Sequence, residues 1–308
     1  MRGIDGLKLT VLIEDTKRRP DLVAKHGLSF FIEVESARGS LHLLFDAGPE
    51  AEAVLDNARR LGVDLKKVDY IALSHGHSDH TGGLLGVLKF INKKLPIILH
   101  PEALEPKFVL KKKKPKKIGM PCTAAELESA GGILIRNKKP YQLVPGVWVS
   151  GEIKRTNRLE QVKGFRTKRE GRLVKDNLPD DQALFVRVKG AGLLVITGCA
   201  HAGIVNTIES AQRMTGSSCL HAVLGGFHLY KSDTGRITWT AGKFKEFSVE
   251  SLMPCHCTGS RAVAKFVSLF GKNCRRIRTG DSVTFGGPKN ITEQIQSRQR
   301  PLTTFLSS

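Results

Sequence analysis

Short apolar runs separated by glycine, proline and charged residues dominate the first third of the chain. Runs rich in β-branched and aromatic residues predict strands. They fall at residues 9–13, 28–34, 41–45, 68–73 and 96–100. Apolar residues at helical spacing predict helices over 49–61 and 82–91. Because strands alternate with helices, the pattern favours an α/β fold.

The same kind of pattern resumes after residue 122. Thr123 with Glu126 three positions later predicts a capping box at the start of a helix over 123–131. Further helices are predicted over 204–214 and 260–270. The predicted strands are 133–135, one that starts at Val147, a hairpin of 180–188 with 192–196, then 220–224 and 251–254.

Two polar stretches interrupt this pattern, at about 102–121 and 151–181. The first contains a run of lysines over 111–117, which predicts a solvated loop. Its alternative reading is a basic flap that attracts phosphate or nucleic acid, although no aromatic residues interleave to stack bases. The second stretch is rich in arginine and long enough to suggest an active-site loop.

Polar turns with histidine follow several predicted strands. Residues 74–80 read Ser-His-Gly-His-Ser-Asp-His. His75 and His77 point about 200° apart on an α-helix, so they converge only in a loop. Three imidazoles and a carboxylate within six positions indicate metal binding, against the alternative of a histidine-rich surface turn. The later turns that carry histidine contain His201, His228 and His256.

Charge and cysteine content add limits on the partners. The 308 residues include 49 Lys and Arg against 29 Asp and Glu, a net charge of +20. Such an excess favours anionic partners, but a basic proteome or adaptation to heat or salt would give the same number. No apolar stretch of about 18 residues predicts a membrane span. Because the N-terminus lacks a signal-peptide core, we expect a cytoplasmic protein whose six cysteines are thiols.

Two histidine contexts have ordinary explanations. The sequence Cys255-His256-Cys257 lacks a second cysteine pair at zinc-finger spacing, so it does not predict a structural zinc site. His100 ends a predicted strand and is more typical of a structural histidine than of a site residue.

The histidine motif, followed by Thr81-Gly82-Gly83, resembles the signature of the metallo-β-lactamase superfamily. The resemblance implies a four-layer αβ/βα sandwich, with two mixed sheets flanked by helices and one or two divalent metal ions at an edge. We expect one such domain over 1–308. Zinc is the expected metal, with manganese, iron and magnesium as alternatives.

The resemblance also implies roles for individual residues. Asp46, in Asp-Ala-Gly at a strand end, would support the metal site from below. Cys199 stands where the superfamily has a bridging aspartate, so it is an uncertain ligand. The implied ligands are His75, His77 and His201 for the first metal, and Asp79, His80 and His256 for the second. Asp79 and His228 are the candidate catalytic residues.

A narrower resemblance extends over nearly the whole chain, through Gly151-Glu152-Ile153, Asp180-Asp181-Gln182 and 197–206. These stretches resemble the 7,8-dihydropterin-6-yl-methyl-4-(β-D-ribofuranosyl)aminobenzene 5′-phosphate synthases of methanopterin-type cofactor synthesis. The resemblance implies a transferase that displaces pyrophosphate from a pterin-methyl diphosphate by an arylamine ribotide. Small phosphorylated substrates would suit the cations of 151–181, with Arg155 and Arg166 as phosphate contacts.

Two other functions stay open at this point. A metal-dependent hydrolase of a phosphate ester, lactone or thioester would use the same site. A nucleic-acid binder or nuclease is suggested by the charge, but neither an added nucleic-acid domain nor an aromatic stacking platform is evident. The sequence does not predict an oligomeric state.

Overall fold

The computed structural model describes residues 3–112 and 114–287. Seventeen strands lie within them: β1 Gly6–Ile13, β2 Ser29–Ser36, β3 Gly39–Phe45, β4 Tyr70–Ala72, β5 Leu95–Leu99, β6 Lys107–Lys111, β7 Lys114–Lys117, β8 Gly132–Arg136, β9 Tyr141–Val144, β10 Val147–Val149, β11 Phe165–Arg169, β12 Arg172–Lys175, β13 Ala183–Val188, β14 Gly192–Thr197, β15 Leu220–Gly226, β16 Ser251–Cys255 and β17 Ser282–Gly286. The α-helices are α1 Ala51–Arg60, α2 Ser78–Thr81, α3 Leu84–Ile91, α4 Ala124–Ser129, α5 Ile204–Thr215, α6 Thr234–Glu246 and α7 Ser260–Phe270. Short 3-10 turns lie at 65–67, 101–104, 256–258 and 271–273.

Two large mixed sheets face each other. One has the strand order β17-β1-β2-β3-β4-β5-β8, with parallel pairing from β3 to β8. The other has the order β16-β15-β14-β13-β10-β9, with β14, β15 and β16 parallel. Because the carboxyl ends of parallel strands share an edge, the turns after these strands are placed to meet.

Side-chain alternation explains the four layers. On β3, Leu43 and Phe45 pack in the core between the sheets, whereas Leu44 packs under α1 and α3. On β14, Leu194 and Ile196 pack between the sheets, and the alternate residues pack against α5, α6 and α7. Because strands such as β3 and β14 are buried on both faces, their sequences are continuous apolar runs. These runs are the ones from which the strands were predicted. The layers are therefore helices, sheet, sheet and helices, as predicted.

The individual elements mostly follow the prediction. The capping box of α4 is confirmed: the Thr123 hydroxyl accepts a hydrogen bond from the backbone N–H of Glu126, whose carboxylate accepts from the N–H of Thr123. Helix α6 and strands β9 and β17 were not predicted. The segment 298–308, which has no predicted element, lies outside the described residues.

The two polar stretches differ from the prediction of irregular loops. Residues 102–121 contain β6 and β7, and residues 151–181 contain β11 and β12. These four strands form a third, antiparallel sheet with the order β12-β11-β6-β7, which we call the small sheet. The described part of the lysine run thus lies mostly on strand β7 and the turn before it. No helix in the described ranges has the length and apolar character needed to span a bilayer.

Candidate metal centre

Three turns at the carboxyl ends of strands converge at one edge of the two large sheets. The turn after β4 brings the motif histidines, with Ser78 starting the short helix α2. The turns after β14 and β16 bring His201 and His256 from the opposite sheet. Gly76 permits the close approach, because a Cβ there would lie 2.2 Å from the Ala103 carbonyl oxygen. The first turn therefore has little freedom to move.

His75, His77 and His201 form the first group of candidate ligands. Nε2 of His75 lies 2.9 Å from Nδ1 of His77 and 3.2 Å from Nε2 of His201. A tetrahedral zinc ion with bonds of about 2.1 Å separates its ligand nitrogens by about 3.4 Å. Both separations are close to what one ion requires, and all three side chains are buried.

Asp79, His80 and His256 form the second group. Nε2 of His80 lies 3.3 Å from Nε2 of His256. The Oδ2 atom of Asp79 lies 3.7 Å from Nε2 of His80 and 3.6 Å from Nε2 of His256. These two nitrogens and one oxygen suit a second divalent cation. The structure therefore brings the six predicted ligands together at one edge of the sheets, and their division between two metal ions stays a prediction.

Cys199 lies between the two groups. Its sulfur is 3.3 Å from Nε2 of His80, and it can share an ion with His75 and His201 or with His80 and His256. Burial raises the pKa of its thiol well above the ordinary value. A thiolate at this position would therefore need a bound cation to stabilise it.

Three of the candidate ligands are oriented by hydrogen bonds from behind. The carboxylate of Asp46 pairs with Nδ1 of His80 at 2.7 Å and accepts the Ser74 hydroxyl at 2.6 Å. The same hydroxyl lies 2.9 Å from Nδ1 of His75. Nδ1 of His256 lies 2.6 Å from a carboxylate oxygen of Asp15. Such partners fix the tautomer of a metal-binding imidazole and its ring orientation.

The protonation of the histidines reflects their burial. Burial lowers the pKa of His77 to about 3 and the pKa values of His75 and His201 well below the ordinary range, so these rings are neutral and able to bind metal. For His80, burial also opposes the charge, but the carboxylates of Asp79 and Asp46 outweigh it and raise the pKa to about 9. Metal binding at His80 would thus release a proton.

Backbone geometry around the centre is unusual. Asp46, Ala200, His228 and His256 have φ angles between 46° and 60°, a region that non-glycine residues seldom adopt. Such conformations persist where the surroundings hold them in place, and they concentrate at functional sites.

Aromatic rings border the first group. The ring of His228 packs against His201 at a tilt of 58°, with 4.3 Å between ring centroids. The backbone N–H of His228 donates to the sulfur of Cys257. The ring of Phe165, from the small sheet, lies 5.2 Å from His77 and 5.3 Å from His201. Tyr230 is exposed beside His228, at 5.8 Å.

Of the two predicted phosphate contacts, Arg155 contacts the backbone of the His201 turn, and Arg166 lies next to Phe165 on β11. Nη2 of Arg155 donates to the carbonyl oxygens of His201 and Leu178, at 3.1 and 3.4 Å, which fixes the His201 turn. Arg166 follows Phe165 on β11, so it points to the opposite face of the small sheet. His100 is buried, and its Nδ1 accepts from the Glu102 N–H at the start of a 3-10 turn, which agrees with a structural role.

Sequence reasoning missed several residues around the centre. Asp15 and His26 approach the second group from the loop after β1, with Nε2 of His26 3.6 Å from Asp79. The buried Lys107 bonds to Asp176 and Asp180, and Asp180 accepts the N–H of Gly76. Of these residues, only Asp180 could have been found from the sequence, because it lies in a stretch that resembles the narrower family.

The comparisons agree with this fold and geometry. Residues 24–204 match the family model of the metallo-beta-lactamase superfamily. The chain belongs to this superfamily, which is a superfamily of metal-dependent enzymes, and the predicted family and fold class are confirmed.

Three similar proteins are at least 30% identical to this chain. The chain is 35% identical to the 7,8-dihydropterin-6-methyl-4-(beta-D-ribofuranosyl)-aminobenzene-5'-phosphate synthase of Methanocaldococcus jannaschii, over 92% of this chain and 98% of that protein. A solved structure described as a metal-dependent hydrolase of the beta-lactamase superfamily is 30% identical, with a TM-score of 0.76 over 91% of this chain and all of that one. An uncharacterized protein of M. jannaschii is 33% identical over 85% of this chain.

Proposed function

We propose that this protein is a metal-dependent transferase that joins a dihydropterin-methyl diphosphate to an aminobenzene ribofuranosyl phosphate. The observation that carries the proposal is the 35% identity to the synthase named above over almost its whole length. The two sets of candidate ligands support it, since two divalent cations suit a substrate with a diphosphate leaving group. We propose zinc as the metal, because histidine, cysteine and aspartate are zinc ligands.

The reaction is a substitution at the pterin methylene carbon. The aromatic amine nitrogen forms a bond to this carbon, the carbon–oxygen bond to the diphosphate breaks, and pyrophosphate leaves with the bonding electrons. Bound divalent cations would neutralise the charge that develops on the leaving group. The amine loses one proton, for which His228 is our candidate acceptor, because its Nδ1 has no hydrogen-bond partner among the described residues.

The exposed side of the centre suggests how substrate approaches. Among the candidate ligands, the Asp79 carboxylate is 24% exposed and the others are buried. The neighbouring His26 side chain is 69% exposed. We propose that Asp79 binds metal and also orients the substrate from this side. Contacts of Arg155 and Arg166 with substrate phosphate stay a prediction, and for Arg155 they would require it to exchange its carbonyl partners.

The second candidate function is a metal-dependent hydrolase, which is the description of the 30% identical solved structure. Water in place of the amine would attack the same class of electrophile, so exclusion of water decides between the two activities.

The test is a mass-spectrometric product assay on zinc-loaded protein. It supplies 7,8-dihydropterin-6-methyl diphosphate with and without the aminobenzene ribotide. We expect the conjugate and pyrophosphate, lost in His77→Ala and retained in His221→Ala, a histidine that pairs with Glu250 away from the centre. Hydrolysis of the diphosphate at the same rate with and without the ribotide would support the hydrolase. No turnover of either compound would refute the transferase.

A further inference from the structure

We infer that Phe165 is a positioning residue of the metal centre, which holds the rings of His77 and His201 by packing where other ligand histidines are held by hydrogen bonds. The inference rests on metal binding by these histidines, which is part of the proposed function. It assigns the small sheet a task in that function.

The ligand histidines fall into two kinds by what lies behind them. His75, His80 and His256 each have a hydrogen-bond partner on Nδ1, the nitrogen that faces away from the other ligands. The outward nitrogens of the remaining two, Nε2 of His77 and Nδ1 of His201, are buried and have no partner within residues 3–112 and 114–287. Packing must therefore orient these two rings, because among the described residues no hydrogen bond to their outward nitrogens does so.

Phe165 contacts these two rings. Its ring is tilted by 30° against His77 at 5.2 Å between centroids, and it meets His201 nearly edge-on, at 75° and 5.3 Å. A tilted contact with one imidazole and an edge contact with the other restrict rotation of both rings. His228 supports His201 from a further side, at 4.3 Å.

The register of the small sheet explains how Phe165 reaches the centre. Phe165 pairs with Val109 on β6, and Thr167 pairs with Lys107. Because side chains alternate along a strand, Phe165 shares a face with Thr167 and Lys107, both of which are buried against the body of the protein. The small sheet thus presents this ring to the first group of ligands.

Phe165→Leu tests the inference, since leucine keeps an apolar side chain but loses the flat ring. The readout is zinc affinity, measured by competition with a chromogenic chelator in two backgrounds. His256→Ala leaves the first group intact, and His201→Ala leaves the second. We expect Phe165→Leu to weaken zinc binding about 10-fold or more in the His256→Ala background and to leave it unchanged in the His201→Ala background.

Two further variants separate positioning from a general effect on the small sheet. Phe165→Tyr keeps the aromatic ring, so its zinc affinity should equal that of the parent protein. Phe108→Leu removes the same side chain from β6 on the opposite face of that sheet, and it should bind zinc like its parent. Unchanged affinity in Phe165→Leu, equal losses in both backgrounds, or an equal loss in Phe108→Leu would overturn the inference while the proposed function stands. If the protein binds zinc at neither group, both this inference and the proposed metal-dependent function are refuted.

Discussion

Asp46 supports one candidate ligand in each of the two groups. One carboxylate oxygen accepts the backbone N–H of Ser74, and the other accepts the Ser74 hydroxyl and faces Nδ1 of His80. Through Ser74 the same carboxylate also supports His75. Asp46 is fully buried and has a φ of 60°, which aspartate and asparagine tolerate better than most residues. One side chain therefore orients a ligand in each of the two groups.

We predict that Asp46→Asn weakens zinc binding by about 10- to 100-fold, the usual effect of losing such a partner. Asparagine fits the same backbone conformation, but its one carbonyl oxygen cannot accept all three bonds, which come from the Ser74 N–H, the Ser74 hydroxyl and Nδ1 of His80. The measurement is zinc stoichiometry and affinity by chelator competition. Asp69→Asn is the matched control, because Asp69 accepts the N–H of His42 on the exposed surface. An Asp46→Asn protein that binds zinc like the wild type would contradict this role.

The small sheet is attached to the rest of the chain by a buried ion pair. Lys107 is 1% exposed, and its ammonium group bonds to Asp180 at 2.9 Å and to Asp176 at 3.2 Å. Burial opposes the charge of Lys107, but the two carboxylates outweigh it and raise its pKa. Because Asp180 also accepts the N–H of Gly76, β6 is connected to the turn that carries His75 and His77.

We predict that Lys107→Met lowers the free energy of unfolding by about 3–5 kcal/mol, since it leaves two buried carboxylates without their cation. Zinc content should fall as well, because the Gly76 turn loses its support. Urea unfolding and metal analysis measure the two effects. Lys111→Met, at the exposed end of the same strand, should change neither. Equal stability of Lys107→Met and the wild type would show that the ion pair is dispensable.

Strands and helices with a local pattern of apolar residues could be predicted from the sequence. The small sheet could not. The ligands follow buried strands, so His75, His80, His201 and His256 were found from apolar runs that end in polar turns. Phe165 was missed because β11 pairs with β6, more than 50 residues earlier, and no local pattern reports such a pairing. Strand β7 reads Lys-Pro-Lys-Lys, which has low intrinsic preference for a strand. Asp15 and His26 were missed for a related reason, since only tertiary folding brings their loop to His256.

At the scale of the whole molecule, the candidate ligands come from both large sheets. The motif histidines follow β4 of one sheet, and His201 and His256 follow β14 and β16 of the other. An ion bound by either group would therefore connect the two halves of the sandwich. A zinc ion that binds the folded state more tightly than the unfolded one would stabilise the fold as a whole.

We predict that zinc raises the unfolding temperature and that a chelator reverses the rise. At free zinc 1,000-fold above the dissociation constant, the stabilisation at one site is about 4 kcal/mol. Differential scanning calorimetry with and without chelator measures it. His256→Ala should lose part of the rise, and His221→Ala should keep all of it. A transition temperature that does not respond to zinc would argue against metal bridging of the sheets.

The small sheet has two edge strands, β7 and β12, and both are strongly basic. An open edge offers unpaired backbone groups to which another copy of the chain could add a strand. On β7 every side chain is exposed, three of the four are lysines and the fourth is Pro115, which has no N–H to donate. Charge repulsion and the missing donor therefore oppose edge-to-edge aggregation, and replacing these lysines with uncharged β-formers would favour it.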